Sequence, residues 1–314
     1  MSEPTPHGIL LWNKPAGVTS FGALNPIKRA LGKQIKVGHA GTLDQAAEGL
    51  QIVLIGAMTK LNPIFSHLDK EYIAVITFGY ETSTLDREGA IINHAPLPSL
   101  ERLLQSIETF PRGVIKQVPP LYSAIHVNGK RAYQYAQQGI DLEMKERTVS
   151  LYDIHVVSMK ETDQQTVESV TISIRCGGGF YVRSFARDLA YACESIATMT
   201  ALERVGIGYH QANHWAFQLA QSYNTIEDIR TKILSPLQAL QALGTSHVAT
   251  VREESIIAVK RGNPFQIDYL TGENQSLILQ DHEPLFLFGP AGELLAQIYR
   301  EHQRWYYQFV VHHP

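Results

Sequence analysis

The sequence predicts an α+β protein in two units: a larger N-terminal unit over residues 1–245 and a small, mostly β unit over residues 246–314. Three observations carry this. Segments with a period of two and segments with a period of 3.6 follow one another irregularly, without the regular strand–helix alternation of a doubly wound sheet. The texture changes to short strands after Gly244. A chain of 314 residues, at roughly 150 per domain, has room for about two units, and its 44% hydrophobic content can fill a core.

The elements follow in order. Apolar spacing predicts a helix from Ser20 to Leu31, with Pro26 kinking it or delaying its start because proline lacks an amide donor. Glu71 to Gly79 (EYIAVITFG) is β-branched and aromatic and reads as a buried strand. Pro98-Ser99 caps a helix running through Ile107, with Leu100, Leu103, Leu104 and Ile107 on one face. Lys130 to Gln138 reads as a helix stopped by Gly139. Leu151 to Val157 is a strand, and Val170 to Cys176 alternates so that Val170, Ile172, Ile174 and Cys176 share one face. Arg183 to Ile196 places Phe185, Leu189, Cys193 and Ile196 at helical spacing. Short helices are expected over Thr225 to Leu240. Beyond them a hairpin is expected in PLFLFGPAGELLAQI, turning at Gly289 to Gly292.

Composition excludes several classes. There is no internal repeat, and two cysteines, Cys176 and Cys193, cannot form a disulfide framework or a four-thiolate zinc site. That cysteine usage fits a reducing compartment. The first residues, MSEPTPHGILLWNKP, do not read as a signal peptide, and no run of about 18 apolar residues is present, so a cytoplasmic location with no membrane contact is expected. No dinucleotide or P-loop glycine motif occurs. His210 and His214 have helical zinc spacing but lack the metalloprotease glutamate, since Gln211 follows His210; they read as solvated surface histidines, and no metal is expected. Gly177-Gly178-Gly179 reads as a tight strand-to-helix turn. A net charge of −3 means that any nucleic acid must be held by local clusters, such as Lys28, Arg29, Lys33 and Lys36, or Lys130 and Arg131. Either can be a solvated face. The first leads directly into the segment discussed next.

Lys36 to Gly49 (KVGHAGTLDQAAEG) packs three glycines, a histidine and an aspartate between apolar runs. Such glycine density gives an irregular backbone that can approach another molecule closely. Asp44 is either a functional carboxylate or the cap of a helix beginning near Ala46.

The stretch G-H-A-G-T-L-D ending at Asp44 resembles the catalytic motif of the bacterial tRNA pseudouridine-55 synthases, the TruB family. Lys14-Pro15 within LWNKPAGVTS, Lys70-Glu71-Tyr72, the block VPPLYSAIHVNGKRAYQYAQQG from Val118 to Gly139, CGGGFYVR ending at Arg183, and Leu202 to Arg204 resemble further family motifs in the right order. The likeness covers about residues 8 to 210. Two departures stand out: Asp44-Gln45-Ala46 replaces a frequent Asp-Pro-Leu, and Gly177-Gly178 stands where a Ser-Lys pair is frequent. The C-terminal unit resembles a PUA-like RNA-binding domain only weakly.

The resemblance implies a pseudouridine synthase fold: a mixed, largely antiparallel central sheet with flanking helices, plus a small β-rich PUA-like domain. It implies isomerisation of uridine-55 in the T-loop of tRNA, with the base flipped out, no cofactor, and the T-arm of tRNA as partner. An obligatory protein partner is not expected, and the chain is expected to act as a monomer. Asp44 is then the catalytic carboxylate; Arg183 pairs with it and, from about 4–6 Å, would lower its pKa. Tyr72 and Tyr181 lie at the target base, and from their spacing Tyr181 and Arg183 would share one face of an extended backbone. Leu202 completes an apolar wall, His39 fills the stack that the base vacates, and Lys14 supports the Asp44 loop. Two other readings are an RNA-folding helper without chemistry and a guide-RNA-dependent subunit, the latter expected to carry longer basic extensions than His312-His313-Pro314 offers.

Overall fold

The computed structural model describes residues 6–127, 129–140, 142–210, 214–245, 247–272 and 280–311, without the side chain of His214. Residues 1–5, the unit boundary at residue 246 and the terminal residues 312–314 named above lie outside the described residues.

The strands are β1 (Gly8–Lys14), β2 (Val37–Ala40), β3 (Glu48–Ile55), β4 (Asp69–Phe78), β5 (Tyr80–Thr82), β6 (Ile91–His94), β7 (Gly113–Gln117), β8 (His126–Val127), β9 (Lys130–Arg131), β10 (Arg147–Glu161), β11 (Val167–Cys176), β12 (Ala197–Tyr209), β13 (His214–Gln218), β14 (Val248–Thr250), β15 (Pro284–Phe288), β16 (Leu294–Glu301) and β17 (Arg304–Val310). The α-helices are α1 (Asn25–Leu31), α2 (Asn62–His67), α3 (Leu100–Thr109), α4 (Ala132–Gln137), α5 (Val182–Ala192), α6 (Pro236–Ala242) and α7 (Ile256–Lys260).

A nine-stranded sheet organises the larger unit, in the order β1-β3-β12-β4-β11-β10-β7, with β2 also on β3 and β13 also on β12. Every pair is antiparallel except β3 with β12, so the sheet is mixed and largely antiparallel. In β4 the side chains of Tyr72, Ala74, Ile76 and Phe78 are buried on one face, against Phe185 and Leu189 of α5 and Leu103 and Ile107 of α3. Its partner β11 buries Val170, Ile172, Ile174 and Cys176 into the same cluster, as its alternation predicts. The strand over 71–79 is therefore half-buried by alternation rather than buried throughout.

β3 differs. Leu50, Ile52 and Leu54 enter one core, and Val53 and Ile55 enter another formed with β1 and α1. A strand covered on both faces loses the period of two and reads as a continuous apolar run, which hides it in the sequence. No helix begins near Ala46, because β3 starts at Glu48. Capping is thus not the role of Asp44.

Helix boundaries show where local signals rule. Pro26 stands in the first turn of α1, which begins at Asn25, so the helix starts late. Ser99 caps α3 by accepting from the Arg102 amide, although Leu104 is exposed. The helix expected over 130–138 is shorter: Lys130 and Arg131 pair in β9, and α4 covers Ala132–Gln137. α5 ends at Ala192, and Glu194, with φ near +55°, turns the chain so that Ile196 is buried outside the helix.

The C-terminal part forms a four-stranded sheet, β14-β15-β16-β17, with the expected hairpin closed by the Gly289 amide donating to Glu293. Phe286, Phe288, Leu294 and Val311 pack in one cluster with Ile9, Leu11, Phe65 and Leu240. The second sheet is therefore continuous with the first unit's core. Among the described residues no helix is long and apolar enough to cross a membrane.

The parallel junction of β3 and β12 depends on Gly49, whose φ is +101° and whose added Cβ would lie 2.5 Å from the Arg204 carbonyl oxygen and 2.7 Å from its amide nitrogen. Those are backbone atoms, and they cannot rotate away. Gly49→Ala is expected to destabilise the fold by about 3 kcal/mol or more, beyond the ~1–3 kcal/mol of backbone strain alone. Urea unfolding would show this as a lower midpoint.

Candidate active site

The Asp44 loop joins β2 to β3 and is held from several sides. Ser20 accepts from the Leu43 amide and donates to the Leu43 carbonyl, each at 2.8 Å. Gly17 donates its amide to the Gln45 carbonyl at 2.8 Å, and Arg87 donates to the Ala46 carbonyl at 3.0 Å. Lys14 is 0% exposed, and its ammonium points at the carbonyls of Pro15, Val18, Gln45 and Ala47. Lys14 therefore braces the loop from behind and does not face the cleft. Burial pulls its pKa down to about 8, against the charges of Asp44 and Glu48.

Asp44 faces Arg183. Arg183 Nε lies 2.8 Å from Oδ2 and Nη2 donates to Oδ1 at 3.0 Å, a two-point clamp. The other N–H groups reach the Thr84 carbonyl at 2.9 Å, the Tyr122 carbonyl at 3.1 Å and Asp86 Oδ2 at 3.4 Å. All five donors of the guanidinium are thus directed at acceptors. The cation sits in the first turn of α5, where the helix dipole disfavours it, and two carboxylates compensate.

Burial dominates over this pairing. It raises the Asp44 pKa above 3.8, with the Arg183 charge lowering it and Asp86 raising it again. The arginine lowers it as expected, but burial outweighs that contribution. The Asp44 side chain nevertheless stays 36% exposed, open to the cleft.

Two adjoining clefts meet at Asp44 and Arg183, of about 550 Å³ and about 1030 Å³. Tyr72, Tyr181, Lys70 and Arg204 line the first. His39, Phe21 and Arg131 line the second. Tyr72 projects from β4, and burial raises its hydroxyl pKa, opposed by the neighbouring Arg204. Tyr181 is the residue just before α5, and Gln117 fixes its backbone by accepting from its amide and donating to its carbonyl. Tyr181 and Arg183 therefore do not share an extended backbone, since the helix begins between them; both still reach the first cleft. Leu202 packs in the cluster with Tyr72 and Leu43 and lines neither cleft. Arg204, two residues on, does line the first cleft. His39 lies on β2, where burial first and then Arg204 and Lys28 lower its pKa, favouring the neutral ring.

Sequence reasoning missed Asp86 and Ser20. Asp86 is buried, accepts from Thr84 Oγ1 at 2.6 Å and from the Glu88 amide at 3.0 Å, and so resembles any aspartate of a polar turn. His210 is not a solvated histidine: it is half-buried, with its ring stacked on Tyr152 at 4.4 Å. Among the described residues no group of side chains could hold a metal ion. The glycine pair after Cys176 has a local reason, because a Cβ on Gly178 would come within 3.0 Å of the His67 carbonyl oxygen.

Residues 28–182 match the model of the TruB family pseudouridylate synthase N-terminal domain. The chain is 39% identical over 293 residues to a tRNA pseudouridine synthase B of Borrelia garinii subsp. bavariensis, covering 93% of this chain and 94% of that protein. It is 34% identical over 273 residues to the protein of the same name from Caulobacter vibrioides, covering 85% of each. Among solved structures, the crystal structure of a Cbf5–Nop10–Gar1 complex shares the fold, with a TM-score of 0.63, 20% identity, and coverage of 93% of this chain and 78% of that one. On these findings the chain belongs to the TruB family of pseudouridylate synthases.

Proposed function

We propose that this pseudouridine synthase isomerises uridine-55 in the T-loop of tRNA, with Asp44 as the carboxylate that meets the electron-poor C1′ as the N-glycosidic bond breaks. The observation that carries the reading is the Asp44–Arg183 clamp at the junction of two clefts, with Tyr72 beside it. A carboxylate held in one orientation and open to a cleft suits chemistry at a glycosidic carbon. The relatives' shared name, tRNA pseudouridine synthase B, supports tRNA as the substrate.

The flipped nucleotide occupies the cleft between Tyr72 and Tyr181, its unpairing costing a few kcal/mol. His39, neutral and aromatic in the larger cleft, occupies the vacated stack. Exposed Arg29, Lys33 and Lys36, together with Arg131, hold phosphates. The C-terminal sheet acts as a PUA-like RNA-binding unit. The enzyme works in the cytoplasm as a monomer, without a cofactor or an obligatory protein partner.

Asp44→Asn is expected to lower tritium release from 5-tritiated uridine in tRNA by about 10⁴-fold or more, the scale on which a member of a catalytic unit is lost. Its affinity for tRNA, read by filter binding, stays within a few-fold. Normal turnover by that variant, with deamidation excluded, sinks the assignment. An RNA-folding helper would release no tritium even as wild type, and a guide-dependent subunit would fail on bare transcript.

Because Asp44 acts ionised and its pKa is raised, the rate falls on acidification at a pH above 3.8. Asp86→Asn removes a charge that raises the Asp44 pKa, so the acid limb of the pH–rate profile moves to lower pH. The plateau falls as well, because Arg183 loses one acceptor. An unmoved limb would show that Asp44 does not govern it.

A further inference from the structure

Besides the exposed Arg147, the cleft holds two buried cations that the Asp44–Arg183 clamp does not use. Arg204 is 1% exposed; its Nε donates to the Leu50 carbonyl at 2.6 Å and its Nη2 to the Gly41 carbonyl at 3.1 Å. Lys70 is 5% exposed and donates to the carbonyls of Ser66, at 2.6 Å, and Leu68. Neither has a carboxylate partner among the described residues; the nearby Asp69 carboxylate accepts instead from Tyr152 and from the His210 amide. Burying a cation without a counter-ion is costly. These two also repel each other: burial and then the Arg204 charge bring the Lys70 pKa down to about 8.

Their placement suggests what balances them. Arg204 on β12 is directly opposite Tyr72 on β4, so both side chains rise on one face of the sheet. Both line the 550 Å³ cleft, together with Asp44 and Lys70. The cleft is therefore polarised, with the Asp44 carboxylate at one end and cations without a counter-ion beyond Tyr72. A backbone phosphate would remain at the mouth when a nucleotide is flipped in. Arg204, almost wholly enclosed and pinned to the Leu50 and Gly41 carbonyls, lies deeper than that mouth.

We propose that Arg204, with Lys70 beside it, stabilises the negative charge that develops on the pyrimidine ring as the N1–C1′ bond breaks. This rests on the isomerase reading above. Both electrons of that bond leave with N1, so the detached uracil is an anion spread over N1, O2 and O4, while C1′ turns electron-poor toward Asp44. C5 of the same ring then supplies the electron pair for the new bond to C1′. The proton on C5 is lost and N1 ends protonated, so the product is an isomer and nothing is oxidised, reduced or consumed. The two ends of the cleft thus match the two charges that the bond cleavage separates. A fixed positive group aimed at developing charge contributes about 10²–10³ in rate.

The test compares single-turnover cleavage of the N-glycosidic bond in T-arm hairpins carrying uridine or 5-fluorouridine at the target position. Fluorine stabilises the base anion by itself, so that substrate needs less help from the protein. Arg204→Gln is expected to slow uridine about 100-fold and 5-fluorouridine less than about tenfold, with Arg204→Lys recovering most of the loss. RNA affinity stays unchanged. Equal slowing of both substrates would overturn the proposal in favour of a purely structural role. Weaker RNA binding with an unchanged saturated rate would overturn it in favour of a phosphate contact. Thermal melting checks each fold; if Arg204→Gln does not fold, Lys70→Gln must show the same split between substrates, at about tenfold on uridine, and its absence is decisive. Wild-type protein inactive on the uridine hairpin would instead overturn the isomerase reading.

Discussion

The Arg183 guanidinium is the point to which the rest of the site is fastened. It clamps both oxygens of Asp44 and spends its remaining hydrogens on Asp86 and on the carbonyls of Thr84 and Tyr122. One side chain thereby ties the loop after β2, the turn after β5, the segment before β8 and the start of α5. Each comes from a distant part of the sequence. A planar, always-charged fork with five donors can make these connections simultaneously, which a lysine ammonium cannot. The clamp fixes the direction of the Asp44 carboxylate before any substrate arrives, the kind of preorganisation on which electrostatic catalysis depends.

Behind the clamp, buried charge is arranged along the sheet rather than neutralised in simple pairs. Lys14 is enclosed on the β1 side with its ammonium donating to carbonyls, and Arg204 is enclosed on β12 with carbonyls of its own. The parallel contact of β3 with β12 brings these together, because Arg204 and Gly49 stand opposite each other across it. Glycine at that position permits a close backbone approach that no side chain would allow. The stability of the sheet and the electrostatics of the cleft are therefore set at the same place.

The C-terminal sheet is attached through apolar packing rather than suspended on a linker. Phe286, Phe288 and Leu294 share a cluster with β1, β3 and α6. The Lys60 ammonium donates to the Val310 carbonyl and lies 5.5 Å from the Phe309 ring centre, adding a polar contact across the same junction. The position of this sheet relative to the cleft is thus fixed by core contacts.

Much of this was legible in the sequence. Alternation located β11, Ser99 and Pro26 marked helix starts, and the hairpin turn of 289–292 was plain, because these signals depend on neighbouring residues alone. The glycine-dense loop and its single aspartate pointed to Asp44, and the run of motifs identified the family. The sequence could not show β1 and β3 as strands of the sheet, since burial on both faces erases their periodicity. It could not separate Asp86 from an ordinary turn aspartate, nor predict that burial outweighs Arg183 in setting the pKa of Asp44. Local chemistry is written along the chain, whereas solvent exclusion and charge balance arise only when distant segments meet; those were decided by the tertiary structure.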